Sequence, residues 1–188
     1  MSDPRILPPD LPVPPDDGAC RHLPRLRMPV VTLPATTGGT VDLGHPNPGW
    51  TVLYCFPRAS EADTPTPPGW DRIPGARGCT AQACDFRDHH HRLVALGAVV
   101  FGISTQAPAP QKEVATRLEL PFALLSDAGF ALTTALRLPT FTVGGQRLLR
   151  RLTLVVRAGA IETVFYPVFP PDRSAAPVID WLAHRRAG

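Results

Sequence analysis

The 188-residue chain has no run of about 18 apolar residues, which excludes a membrane-spanning helix. It has no strong excess of charge either. The net charge is +3 and the isoelectric point is near 8.9, too little basicity to indicate nucleic acid. Lys and Arg are scattered apart from pairs such as Arg150-Arg151 and Arg185-Arg186, and read as solvated surface. The opening MSDPRILPPDLPVPPDD lacks the basic start and apolar run of a secretory signal, so a cytoplasmic location is expected. There is no glycine-rich phosphate loop, and Gly144-Gly145 reads as a turn. No Cys-x-x-Cys occurs, which disfavours a dithiol reductase of that kind.

Hydrophobic residues make up 44% of the chain, enough for one sizeable core. The four cysteines are Cys20, Cys55, Cys79 and Cys84. In a reducing compartment they read as thiols with chemistry, or as inert core residues, rather than as a disulfide framework. Proline is abundant, at 24 residues, many of them in the N-terminal segment and between Pro57 and Pro74. Both stretches are expected to be irregular, because proline removes a backbone donor and blocks helix continuation. Residues 1–26 therefore read as a Pro-rich tail, flexible or surface-hugging, and 27–188 as a single domain. Cys20 in that tail reads as an exposed thiol, and PPDLPVPP could alternatively serve as a polyproline ligand.

Val30–Leu43 reads as a hairpin about Thr37-Gly38-Gly39, and Trp50–Phe56 as a buried strand ending in a core cysteine, Cys55. Helical spacing covers Thr80–Leu96, with Gly97 as its stop. Ala98–Ser104 reads as a buried strand, Gln111–Leu120 as a helix, Pro121–Asp127 as a short strand and turn, and Gly129–Leu138 as a short helix. Leu152–Arg157 and Ala160–Tyr166 form a hairpin, and a helix near Ala175–Arg186 closes the chain. This order predicts an α/β fold, a central mixed sheet with helices on both faces, compatible with a thioredoxin-like core.

Cys79 lies where a loop becomes a helix. The free N–H groups and positive end of the helix favour thiolate over thiol, and thiolate is the nucleophile. Gly75 and Gly78 leave the backbone beside it open to a ligand. Cys84 lies five residues on. An ideal helix separates two such Cα atoms by about 8.6 Å. That exceeds the limit of about 7 Å for a disulfide, so a bond between them requires the first helical turns to unwind. The alternative, that these cysteines are buried and inert, stays open for Cys84 more than for Cys79.

The run GCTAQACDFRD resembles the active-site signature of the peroxiredoxins, in the Q-type branch also called bacterioferritin comigratory protein. GAVVFGIST, LPFALLSD, RLTLVV and a closing helix containing DWL follow in the order typical of that branch. The resemblance covers roughly Met28 to Leu182. It implies that Cys79 is the peroxidatic cysteine, attacking the peroxide O–O bond to become a sulfenic acid. Cys84 would be the resolving cysteine that condenses with it. Arg151 would stabilise the thiolate and orient the peroxide. Gln82 would hold that arginine, and Pro57 would open the active-site loop. The implied activity is a peroxidase for hydrogen peroxide or organic hydroperoxides, recycled by a thioredoxin-like or glutaredoxin-like donor. No metal, haem or flavin cofactor is implied. Monomer and homodimer are both open.

Two departures stand out. The family's Pro-x-x-x-Thr-x-x-Cys places a threonine where this chain has Ala76. Between Pro57 and Cys79 lie 21 residues, far more than that spacing allows. This insertion is expected either to cover the peroxide pocket with Trp70 packed against the core, or to decorate the surface. Ser60, Thr64 or Thr66 could fold back to supply the missing hydroxyl. Ala76 and the long loop also support a different reading, a catalytically weak redox sensor or interaction protein. A metal module built from Cys79, Cys84 and one of His89, His90 and His91 is a third. Consecutive helical histidines diverge, so a solvated helix face is the simpler account of them.

Overall fold

The computed structural model describes residues 7–45, 47–60 and 66–186. Its centre is a five-stranded mixed sheet. The strands are β3 (Trp50–Cys55), β4 (Ala98–Ser104), β5 (Leu124–Ser126), β8 (Leu152–Arg157) and β9 (Ala160–Phe165), in the spatial order β5-β4-β3-β8-β9. β3 runs parallel to β4, and β4 to β5, while β8 is antiparallel to both β3 and β9. A hairpin of β1 (Thr32–Pro34) and β2 (Thr40–Asp42) forms where the Thr37-Gly38-Gly39 turn predicts one.

Side-chain alternation sorts the core into two layers. Trp50, Val52, Tyr54 and Phe56 point to one face, with Val100 and Val155. Four helices cover that face: α1 (Cys79–Asp88), α2 (His90–Ala95), α3 (Pro108–Arg117) and α5 (Ala175–Arg186). They contribute Phe86, Leu93, Val114 and Val178. Tyr54 stacks on Phe86 with centroids 4.5 Å apart. Such a pair adds about 0.5–1.5 kcal/mol beyond its area. Leu53, Cys55, Leu154 and Val156 point to the other face, under Leu132 and Leu136 of α4 (Ala131–Ala135) and under Leu23 and Met28. Helices thus lie on both faces, as the element order predicts.

Three local features differ from the sequence reading. The helix expected over Thr80–Leu96 breaks at His89, whose φ and ψ are −100° and 3°. There the Asp85 carbonyl is met by both the His89 N–H at 3.1 Å and the His89 ring Nδ1 at 2.9 Å. α3 begins three residues before the expected Gln111, at Pro108, where the lost N–H costs nothing. Gly144 and Gly145 join two strands not foreseen, β6 (Thr140–Val143) and β7 (Gln146–Leu149). Their φ values of 53° and 75° suit a two-residue hairpin turn.

The described part of the N-terminal segment packs against the sheet, partly on the surface and partly in the core. Asp17 accepts a 2.9 Å hydrogen bond from the Tyr166 hydroxyl, and the Arg25 N–H donates to the Ile161 carbonyl at 2.7 Å. Cys20 corrects its expectation. It is buried beside Leu23 in the second core layer, because the turn from Gly18 to Leu23 folds inward against the sheet. Among the described residues no helix is long and apolar enough to cross a membrane.

Candidate active site

Cys79 is the first residue of α1 and is 5% exposed. Gly78 precedes it with φ 101°, a conformation in which a side chain is strained. A Cβ at Gly78 would also lie 2.3 Å from Pro171 Cγ, so only glycine fits this entry to the helix. All positions from Cys79 to Phe86 are buried, which asks each polar side chain among them for a partner. Asp85 Oδ2 accepts the Ala175 N–H at 2.6 Å and so caps the start of α5 from a distant helix. Burial nevertheless raises the Asp85 carboxyl above its ordinary range, outweighing that hydrogen bond and the neighbouring His89.

Arg151 immediately precedes β8 and shares the parity of Thr153 and Val155, so it points to the α1 face. Its guanidinium is almost wholly buried. One Nη donates to the carbonyls of Gly75, Ala76 and Arg77 at 3.3, 3.3 and 3.1 Å, and contacts Cys79 Sγ at 3.3 Å. The other Nη donates to Gln82 Oε1. None of these partners is a carboxylate. A buried permanent cation is costly unless a negative group faces it, and among the described residues the one ionisable side chain within this ring of contacts is Cys79. Cys79, Gln82 and Arg151 are therefore brought together as expected.

Cys84 lies one and a half turns further along α1, in the same core layer. All four cysteines are thiols. With both Cys79 and Cys84 in regular helix, their pairing needs α1 to open at its start. Pro57 is buried just beyond β3, where the chain leaves the sheet for the long loop.

The described parts of that loop build a cavity of about 230 Å³ against Cys79. Arg58, Ser60, Thr66, Trp70, Arg77 and Thr80 line it. Ser60 and Thr66, two of the three candidates for the missing hydroxyl, thus lie on the cavity wall. Thr64 lies outside the described residues. Trp70 is 5% exposed and packs with Ala76 and Leu148, its ring 6.2 Å from that of Phe141. This packing accounts for Ala76. The position is fully enclosed in an apolar cluster, where a threonine hydroxyl would be desolvated. Arg77 is tied to Asp71 at 2.8 Å, closing the loop on itself.

The other thiols lie apart from this constellation. Burial pushes the Cys20 thiol up to about 12, helped by Asp17 and Asp16, and pushes Cys55 higher still. Of the three histidines, His89 bonds Asp85, His90 packs 5.5 Å from the Phe122 ring and His91 is exposed. Among the described residues no three His, Cys, Asp or Glu side chains cluster closely enough to hold a metal. Sequence reasoning missed the loop carbonyls that grip Arg151, since backbone groups leave no signature in residue identity. It also missed the approach of the N-terminal segment to the Cys79 loop.

Comparison with known proteins agrees with this geometry. The redoxin family model matches residues 25–179. Chloroplastic peroxiredoxin Q of Populus jackii is 32% identical over 146 residues, covering 77% of this chain and 61% of that protein. The Sedum lineare protein of the same name is also 32% identical over 146 residues, with 69% of its length covered. The chain thus spans six- to seven-tenths of the length of these relatives. Among solved structures, peroxidoxin BcpB from Mycobacterium tuberculosis superposes with a TM-score of 0.69 at 25% identity, over 87% of this chain and 98% of that one. Peroxiredoxin Q of Xanthomonas campestris, at 22% identity and a TM-score of 0.65, shares the fold over 85% of this chain and 96% of its own. With the family model spanning the whole sheet and the Gly-Cys-Thr helix start held against Arg151, the chain belongs to the redoxin family, in its peroxiredoxin Q branch.

Proposed function

We propose that the protein is a two-cysteine, thiol-dependent peroxidase with Cys79 as nucleophile. The observation that carries this is the buried Arg151 guanidinium, 3.3 Å from Cys79 Sγ and without a carboxylate partner among the described residues. In the first step the Cys79 thiolate attacks one oxygen of ROOH. The O–O bond breaks, and with one proton the products are Cys79 sulfenic acid and ROH. Arg151 and the free N–H groups at the start of α1 face the charge that moves onto the peroxide. In the second step the Cys84 thiol attacks the sulfenic acid, forming a Cys79–Cys84 disulfide and releasing water. A thioredoxin-like or glutaredoxin-like dithiol then reduces the disulfide by exchange. Gln82 positions Arg151 through its Oε1, and Pro57 sets the course of the loop that roofs the pocket. Sulfur carries the whole redox change, so the scheme uses no cofactor. A cytoplasmic setting belongs to this reading, because the cycle needs reducing surroundings.

The test is stopped-flow peroxide consumption by the wild type, Cys79→Ser and Cys84→Ser. Cys79→Ser is expected to lose the reaction. Cys84→Ser is expected to react once and stall as a sulfenic acid or mixed disulfide. Peroxidase activity retained in Cys79→Ser overturns the reading. Normal recycling in Cys84→Ser removes Cys84 from it. A slower redox sensor of the same fold is the second reading, favoured by Ala76 in place of the hydroxyl beside Cys79. It is distinguished by a low rate constant with every peroxide.

A further inference from the structure

The N-terminal segment is anchored well behind its Pro-rich stretch. Leu23 is completely buried, Asp17 is held by Tyr166, and the Arg25 and Met28 N–H groups bond the β9 hairpin at the Ile161 and Gly159 carbonyls. From that anchor the chain runs back across the loop that carries Cys79. Pro14 sits against Gly75: both its Cβ and Cγ lie 3.5 Å from where a Gly75 side chain would begin. Pro8, Leu11 and Pro12 face Asp71 and Arg72 across a shared cavity. Leu7 reaches Gly78, its Cδ2 3.2 Å from where a Cβ there would stand, on a glycine already in contact with Pro171. The two ends of the strap thus touch Gly75, whose carbonyl is the first of the three that grip Arg151, and Gly78, which follows the last of them.

These contacts bear on one step in particular. Peroxide attack uses α1 as it stands. Disulfide formation needs the first turn of α1 to open, because the helical Cys79–Cys84 spacing is too long for a disulfide. Opening moves Gly78 and Cys79, and Gly78 is the residue wedged between Leu7 and Pro171. We propose that the segment from Leu7 to Pro14 is a positioning strap that holds the Cys79 loop in its helical state and slows resolution by Cys84 relative to peroxide attack. The strap costs little entropy to keep in place, since its prolines have few backbone states to lose. A slower second step lengthens the life of Cys79 sulfenic acid. A second ROOH can then convert it to sulfinic acid, with ROH again the by-product. The strap therefore sets how readily the enzyme is inactivated by excess peroxide. This inference rests on the assignment of Cys84 as the resolving thiol.

The experiment compares the full chain, a variant lacking residues 1–14, and Leu7→Ala. Each is reduced, mixed with hydrogen peroxide, and followed by Trp fluorescence with acid-quenched mass analysis, so that sulfenic acid and disulfide are timed separately. Removing the strap is expected to raise the ratio of the resolution rate to the peroxide rate. Leu7→Ala should do so by about fivefold, the factor that partial burial of one leucine side chain carries. The fraction of sulfinic acid at high peroxide should fall in parallel. A purely structural role would slow both steps together and leave the ratio unchanged, which overturns the proposal, as does a fall in the ratio. If the full chain forms no Cys79–Cys84 disulfide at all, the functional assignment itself is wrong.

Discussion

Replacing Arg151 with methionine removes the permanent charge 3.3 Å from the nucleophile while keeping much of its volume. At 3.3 Å and an effective dielectric of about 20, a guanidinium and a thiolate attract by about 5 kcal/mol. Only part of that bears on the rate, because the negative charge spreads from sulfur to the peroxide oxygens during attack and the helix start remains. A donor of this kind is worth about 3–4 kcal/mol of barrier, so the second-order rate constant with hydrogen peroxide should fall about 10²- to 10³-fold. Arg151→Lys keeps the charge but loses the fork that reaches the three loop carbonyls and Gln82 together, and should lose about tenfold. The assay is stopped-flow Trp fluorescence on the reduced protein at fixed pH. Circular dichroism and denaturant unfolding run alongside it, since stranding the loop carbonyls should also lower stability by about 1–3 kcal/mol. A folded Arg151→Met protein that reacts within about threefold of the wild type would refute the argument.

Two further outcomes follow from buried groups around the same helix. Ala76→Thr should destabilise the protein by about 1–3 kcal/mol in denaturant unfolding, because Ala76 is enclosed by Trp70 and Leu148. A faster enzyme with unchanged stability would show instead that the pocket accepts that hydroxyl. Asp85 has its carboxyl raised by burial, so the folded state holds the proton more tightly than the unfolded chain does. Its contribution to stability is full below the ordinary value near 3.8 and is lost as pH rises through the higher folded value. Asp85→Asn keeps an acceptor for the Ala175 N–H, and its stability relative to the wild type should rise with pH from about pH 4 upward, as measured by unfolding at stepped pH. A difference independent of pH would contradict the assignment.

The sheet and its helices were legible because the apolar, β-branched and aromatic run at Trp50–Phe56 and the helical spacing over Thr80–Leu96 leave plain patterns. The nucleophile was legible as a cysteine at a loop-to-helix junction, whereas Arg151, read from its pairing with Arg150 as solvated surface, was pointed to only by the resemblance to the peroxiredoxins. What escaped was set by contacts distant in sequence. The break at His89 is a change of φ and ψ to −100° and 3° that no helix-stop residue marks in the sequence. Cys20 lies in a proline-rich stretch that looks exposed, and only the inward turn to Leu23 places it in the core. The β6–β7 hairpin had a readable signal in Gly144-Gly145 between TFTV and QRLL, although the turn alone does not say that both flanks pair. The strap had none, since Leu7 and Pro14 acquire meaning only from the glycines they touch.

The central claim is tested most directly by treating the reduced protein with one equivalent of hydrogen peroxide, blocking the remaining thiols and mapping the cysteine peptides by mass. The account predicts a Cys79–Cys84 disulfide, with Cys20 and Cys55 recovered as blocked thiols because burial keeps both protonated. Recovery of Cys79 as an unoxidised thiol, or its linkage to Cys20 or Cys55, would contradict it.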